Sequence, residues 1–339
     1  MQQSNSVSTS RTKSRRLGLD RCWVTRPVSL GLAFLGCAAT SNVLRANDLH
    51  LTDWAIGHGF TLEPYASNFN FWNGPDVGPI GIAFRTDGKV LVTDIDTAGT
   101  GSTIYLLPDH IDHKVGPYTP TATYPLSDAV DLAQIRDVGT TKWRYYMSQA
   151  IADLVVEIDS DGQWVANIAA MNGPLGIVPY PPHGDVVALR GHLFVSDSSK
   201  RIWDVDPLAP SQTLFMPPVD QGADGLCFDR DGSTLYAAYA LDGYIKAFDT
   251  LTKALVWQSP TKPGYPDGIA IGIGPTLEGY VFCNYNSGDV WAFGLPGGPH
   301  ADEEQLIAEG GTRGDFIAVD PNSYSGNMWP SLLLTQTES

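Results

Sequence analysis

Two short phrases, Ala223-Asp-Gly225 and Pro266-Asp-Gly268, each set a carboxylate just before an apolar run, and their aspartates stand 43 residues apart. The same opening recurs as Pro79-Ile-Gly-Ile-Ala-Phe84, Ser127-Asp-Ala-Val-Asp-Leu132, Pro174-Leu-Gly-Ile-Val178 and Gly314-Asp-Phe-Ile-Ala-Val319. Its second residues are Ile80, Asp128, Leu175, Asp224, Asp267 and Asp315. If such residues converge, carboxylates crowd together, and two unit charges about 4 Å apart repel by roughly 4 kcal/mol at an effective dielectric near 20. Protonation, a basic partner or a divalent cation must relieve that repulsion. Oxygen ligands favour calcium or magnesium, with calcium the first expectation. The candidate metal ligands are therefore Asp224, Asp267, Asp128 and Asp315. Asp224 and Asp267, in neighbouring units, are the best pair; Arg313 beside Asp315 is an alternative source of positive charge. The structural alternative is an aspartate that holds a turn by accepting backbone N–H groups.

The elements that must place these residues repeat with them. After each opening phrase comes a second apolar or aromatic run, among them Lys89–Asp94, His192–Asp197, Thr234–Tyr239 and Tyr280–Tyr285. Third and looser fourth runs follow, as in Gly243–Phe248 and Ala254–Ser259. Asp-Gly pairs at Gly88, Gly162, Gly232 and Gly243 supply turns between them. No long amphipathic helix is legible. Units of about 40–50 residues with four strands each predict an all-β fold, a β-propeller. Six openings predict six blades. The last unit has two strands, so the N-terminal run Phe60–Ser67 is expected to supply a strand to it and close the ring.

In a propeller the start of the inner strand and the end of the second strand lie on one face. A second set of residues therefore borders the channel mouth: Asp94, Asp197, Tyr239, Asn284 and Tyr285 are the candidate substrate-binding residues.

The 339-residue chain carries a net charge of −16, which argues against nucleic acid as a partner. Residues 1–46 differ in kind: basic residues precede a short apolar run, Val28–Ala39. That is the pattern of a secretory signal, with cleavage after Ala39 or Ala46 and a less favoured lipoprotein anchor at Cys37. The run is too short to span a membrane. Residues 47–339 then form a single propeller domain, secreted or periplasmic. Cys227 and Cys283 lie inside apolar runs and read as buried thiols, with a disulfide as the alternative.

From Gly78 to Gln336 the chain resembles the senescence marker protein/gluconolactonase/luciferin-regenerating enzyme family of six-bladed propellers, most clearly in GADGLCFDRDG and GYPDGIAIGIGPTLEGYVFCNYNSGDVWAF. The resemblance implies a divalent metal at the mouth and hydrolysis of a lactone or ester. By its Pro-Asp-Gly motif, Asp267 would be both metal ligand and general base, and Asp224 would stand where the family has Asn. The family's first-blade Glu has no counterpart here, since that phrase reads Pro79-Ile80-Gly81. The competing expectation is a non-catalytic secreted propeller that binds a sugar, peptide or protein partner at the mouth, with Trp72, Tyr239 and Tyr285 as aromatic contacts.

Overall fold

The computed structural model describes residues 35–37, 49–63, 65–69, 79–96, 101–108, 120–124, 128–137, 140–218, 222–311, 313–320 and 331–337. Most of the expected signal lies outside these residues, as does Trp72.

Five antiparallel blades follow one another along the chain, four of four strands and one, the fifth, of five. Their inner strands are Pro79–Phe84, Ala129–Arg136, Pro174–Pro179, Leu226–Phe228 and Pro266–Ile271. A terminal two-stranded sheet, Arg313–Val319 with Leu332–Thr337, completes the series. Where six complete blades were expected, five are present together with this sheet. Inner strands of all five blades and of the terminal sheet line one central cavity.

The strands form because their residues suit burial on both faces. Phe282, Cys283 and Tyr285, for example, are almost wholly buried within Tyr280–Tyr285. Blades then pack face to face through layers such as Tyr180, Phe194, Phe215 and Phe228. Phe194 meets Phe215 and Phe228 edge-on, the preferred geometry for aromatic pairs. Cys227 and Cys283 share one such layer as free thiols, and burial raises both well above the usual thiol range.

One irregularity recurs. The pairing of inner and second strands slips between Pro79 and Ile82, Ala129 and Leu132, Pro174 and Ile177, Pro266 and Ile269, and Gly314 and Ile317. A bulge of this kind re-aims side chains toward the channel. Opposite it, the second strand carries Thr93, Ser148, Ser196, Asn284 or Thr335, and each reaches the next unit. Ser148 Oγ donates to Leu175 O at 2.5 Å, Ser196 Oγ to Asp224 O at 3.2 Å, and Thr335 Oγ1 to Ile80 O at 3.3 Å. The last contact joins the terminal sheet to blade 1. Glycines let the units come this close: a Cβ on Gly225 would lie 2.3 Å from Asp267 O, and one on Gly268 would lie 2.4 Å from Phe316 Cα.

The N-terminal segment departs from expectation. Ala66–Phe69 pairs in parallel with Leu35–Cys37, not with the terminal sheet. The strand that extends a blade is His50–Leu51, antiparallel to Glu304–Glu309 of blade 5. Phe60 and Leu62 still pack on Ile317, Leu332 and Leu334, and Tyr65 packs on Leu333. The segment covers the terminal sheet with side chains instead of a hydrogen-bonded ladder. Pro64, in the middle of the run, has no N–H to give to one.

Candidate functional site at the channel mouth

The pairing register corrects the ring of residues at the mouth. Pro79 pairs with Asp94, Pro174 with Asp197, Pro266 with Tyr285 and Gly314 with Gln336. In blade 2 the matching pair is Ala129 with Gln149. The residue equivalent to Ile80 there is Val130, not Asp128. The ring is thus Ile80, Val130 and Leu175 from the first three blades, then Asp224, Asp267 and Asp315. Val130 packs on Ile80 and Phe316, as an apolar member should. Asp128 lies outside the ring, one residue before the strand, where its carbonyl accepts from Ala150 N at 2.9 Å. The phrase Ser127-Asp-Ala-Val-Asp-Leu132 contains two aspartates, and the spacing alone favoured the wrong frame.

The acidic side of the ring is buried. Asp267 is 7% exposed and Asp315 2%. Arg313 Nη2 lies 3.1 Å from Asp315 Oδ1. The Asn286 amide nitrogen, turned toward acceptors, donates to Asp267 Oδ2 at 3.3 Å and to Gly314 O. Asp315 Oδ2 has no hydrogen-bond partner among the described residues. Loss of solvent pushes Asp224 and Asp315 up to about 6, with Arg313 pulling both back. Asp267 is raised further, well above the carboxylate range, by burial and then by the charges of Asp224 and Asp315. Protonation and Arg313 together relieve the repulsion that the sequence posed.

The other predicted residues close the second strands beside the ring, with their side chains engaged in the fold. Asn284 is fully buried, and its Nδ2 donates to Phe316 O at 3.2 Å and Thr335 O at 2.7 Å. It joins blade 5 to the terminal sheet. Tyr239 and Tyr285 are buried within blade layers, so neither presents an aromatic face at the mouth. Asp197 accepts from Arg201 N at 2.9 Å and Trp203 Nε1 at 2.8 Å, holding the turn that follows its strand. Asp94 is buried and accepts from Thr103 Oγ1 at 3.4 Å.

Asp131 was not among the expected residues. One step below the ring, its carboxylate accepts from Leu132 N at 2.7 Å and from Ile177 N at 2.9 Å, so it binds blade 2 to blade 3. Burial raises it to about 8. In the corrected register the equivalent positions are glycine in four other units, Gly81, Gly176, Gly225 and Gly268.

One similar structure is a nidogen/laminin complex, at 17% identity and a TM-score of 0.52, covering 78% of this chain and 88% of that one. Another is the PQQ-bound form of an aldose sugar dehydrogenase from Streptomyces coelicolor, at 18% identity and a TM-score of 0.50, covering 71% of this chain and 84% of that one. The fold is a β-propeller. No family model matches the chain, and no curated protein matches it. No described helix is long and apolar enough to cross a membrane.

Asp224, Asp267 and Asp315 are the oxygens that would hold a divalent cation. Among the described residues, however, no three His, Cys, Asp or Glu side chains stand together as a metal-binding group. Arg313 occupies the place of a counter-charge.

Proposed function

We propose that the chain is a propeller, similar to gluconolactonases, that hydrolyses a lactone or ester at its channel mouth, with Asp267 as the proton-transferring residue. One observation carries this: Asp267 is a buried carboxyl beside Asp224 and Asp315, held well above its ordinary range by loss of solvent and then by the charges of those two neighbours. A carboxyl raised toward neutrality suits general acid–base work. As carboxylate, Asp267 takes a proton from a water whose oxygen adds to the substrate carbonyl carbon. The proton then passes to the leaving oxygen as the acyl C–O bond breaks. Arg313 is placed to donate to the developing oxyanion. Asp315 Oδ2 offers an acceptor to a substrate hydroxyl. Ile80, Val130 and Leu175 offer the substrate an apolar face.

The side chains as they stand do not fit a calcium ion, and no step above runs through a metal. The experiment is a panel of γ- and δ-lactones and aryl esters, assayed with wild type and Asp267→Asn, with and without chelator. Turnover that Asp267→Asn abolishes and chelator spares supports the reading. A wild type inert on the panel with and without calcium ends it.

Residues 1–46 as a cleaved signal belong to the same proposal, leaving one propeller from residue 47 onward. Cleavage would remove Leu35–Cys37, the parallel partner of Ala66–Phe69. Intact mass of the exported protein checks it: the expected N-terminus is Thr40 or Asn47.

The second reading is a non-catalytic propeller that binds a sugar, peptide or protein. The apolar half of the mouth favours it, since Ile80 stands where the resembling family carries a carboxylate. Saturable binding of a lactone without turnover would select it.

A further inference from the structure

Below the ring of mouth residues, the inner strands enclose a cavity of about 420 Å³. It runs along the inner strands below the ring, from Ile82 and Phe316 to Pro181 and Val319. Its size falls in the range of small-molecule pockets, roughly 300–1,000 Å³. Aliphatic and aromatic residues such as Phe84, Ile177, Phe228 and Ile269 dominate its wall. Water gains few hydrogen bonds in such a space, so an apolar occupant displaces it favourably.

The polar side chains in the wall, Asp131, Gln134, Asp229 and Arg230, are unequal, and the Asp229 carboxylate accepts from Ser233 Oγ and Thr234 N. The Asp131 carboxylate already accepts two backbone N–H groups. Gln134 Oε1 is buried and has no hydrogen-bond partner among the described residues. A buried acceptor without a donor is costly unless something supplies one.

We propose that this half of the channel is a second binding site, for an apolar small molecule of fatty-alcohol size that carries one hydrogen-bond donor for Gln134 Oε1. The hydrocarbon part lies against Phe84, Phe228 and Ile269; the single donor meets Gln134. The site needs none of the mouth carboxyls, so it stands whether or not the mouth is catalytic.

The test uses the full chain and two fluorescent probes. N-phenyl-1-naphthylamine is apolar with one N–H donor; diphenylhexatriene is apolar with none. The expected result is saturable binding of each at one molecule per chain, with displacement by 1-decanol and a rise in Tm as decanol is added. Gln134→Leu should weaken the naphthylamine about fivefold to tenfold and leave diphenylhexatriene unchanged. Asp267→Asn should alter neither. Absence of saturable binding, equal loss of both probes in Gln134→Leu, or loss of binding in Asp267→Asn would overturn the proposal. The decanol shift in wild-type Tm needs no variant; a Tm unmoved by decanol would count against the site even if Gln134→Leu failed to fold.

Discussion

The two halves of the mouth use one backbone position for opposite ends. Blades 1 to 3 place Ile80, Val130 and Leu175 after the first bulged residue; blade 5 and the terminal sheet place Asp267 and Asp315 there, and Asp224 takes the matching place just ahead of the unbulged inner strand of blade 4. The backbone geometry is shared, so the difference is carried by side chains alone. On the apolar half, ring residues pack on one another, as Ile80 and Val130 do with Phe316. On the acidic half, burial is made tolerable by proton uptake, Arg313 and Asn286. A repeat fold thus separates what holds the ring from what the ring presents.

The largest expected effect contrasts the halves directly. Asp267→Asn should lower turnover by about 10²–10⁴-fold, the usual worth of a positioned acid or base. Leu175→Ala should cost about tenfold or less, and in KM alone. Equal losses, measured as kcat and KM on the same lactone, would erase the division of labour.

Next in size is Gly225→Ala. The added Cβ would press on the Asp267 carbonyl and Gly268 Cα, both backbone and unable to swing aside. A loss of about 2–4 kcal/mol is expected, read as a lower midpoint in urea.

Titration sharpens the comparison because only the acidic half has ring residues that titrate, while the apolar half has Asp131 one step below its ring. Asp224 and Asp315 are raised to about 6 in the folded chain, so they hold protons that the unfolded chain has released. Their contribution to stability is full below about pH 4 and is lost as pH rises through about 6; Asp131 extends the decline to about 8. Stability should therefore fall between pH 5 and 8. Asp131→Asn should flatten the upper part of that decline. Arg313→Met removes the charge that pulls Asp224 and Asp315 down, and should move the pH–rate profile of turnover upward by about one unit.

The smallest effect is Thr335→Val. It deletes the hydroxyl that accepts from Phe316 N at 2.8 Å and donates to Ile80 O, at a cost of about 1–2 kcal/mol in thermal unfolding.

Much of this architecture was legible because a propeller repeats its punctuation. The Asp-Gly turns were readable: Gly88, Gly162, Gly232 and Gly243 all take positive φ, between 71° and 85°. So were the strands with aromatic runs, and the convergence of Asp224, Asp267 and Asp315. The register of blade 2 was not, because side-chain spacing does not reveal which residue a bulge leaves unpaired. That single uncertainty put Asp128 in the ring and hid Val130 and Asp131. Asn284, Tyr239 and Tyr285 were misplaced for a related reason. The ends of second strands approach the mouth in space, yet alternate side chains there point into blade layers. The N-terminal segment was read as a paired strand from its apolar content, which signals burial but not hydrogen bonding.

The contact between Thr335 and Ile80 also has a kinetic side. Its partners are 255 residues apart, and Thr52 Oγ1 meets Leu306 O across 254. Neither contact can form until almost the whole chain has left the ribosome. Closing loops of that length is an entropic search that local strand pairing does not shorten. The first blades would therefore wait with an open flank, and the last seam to form would set the pace at which the protein reaches its native state.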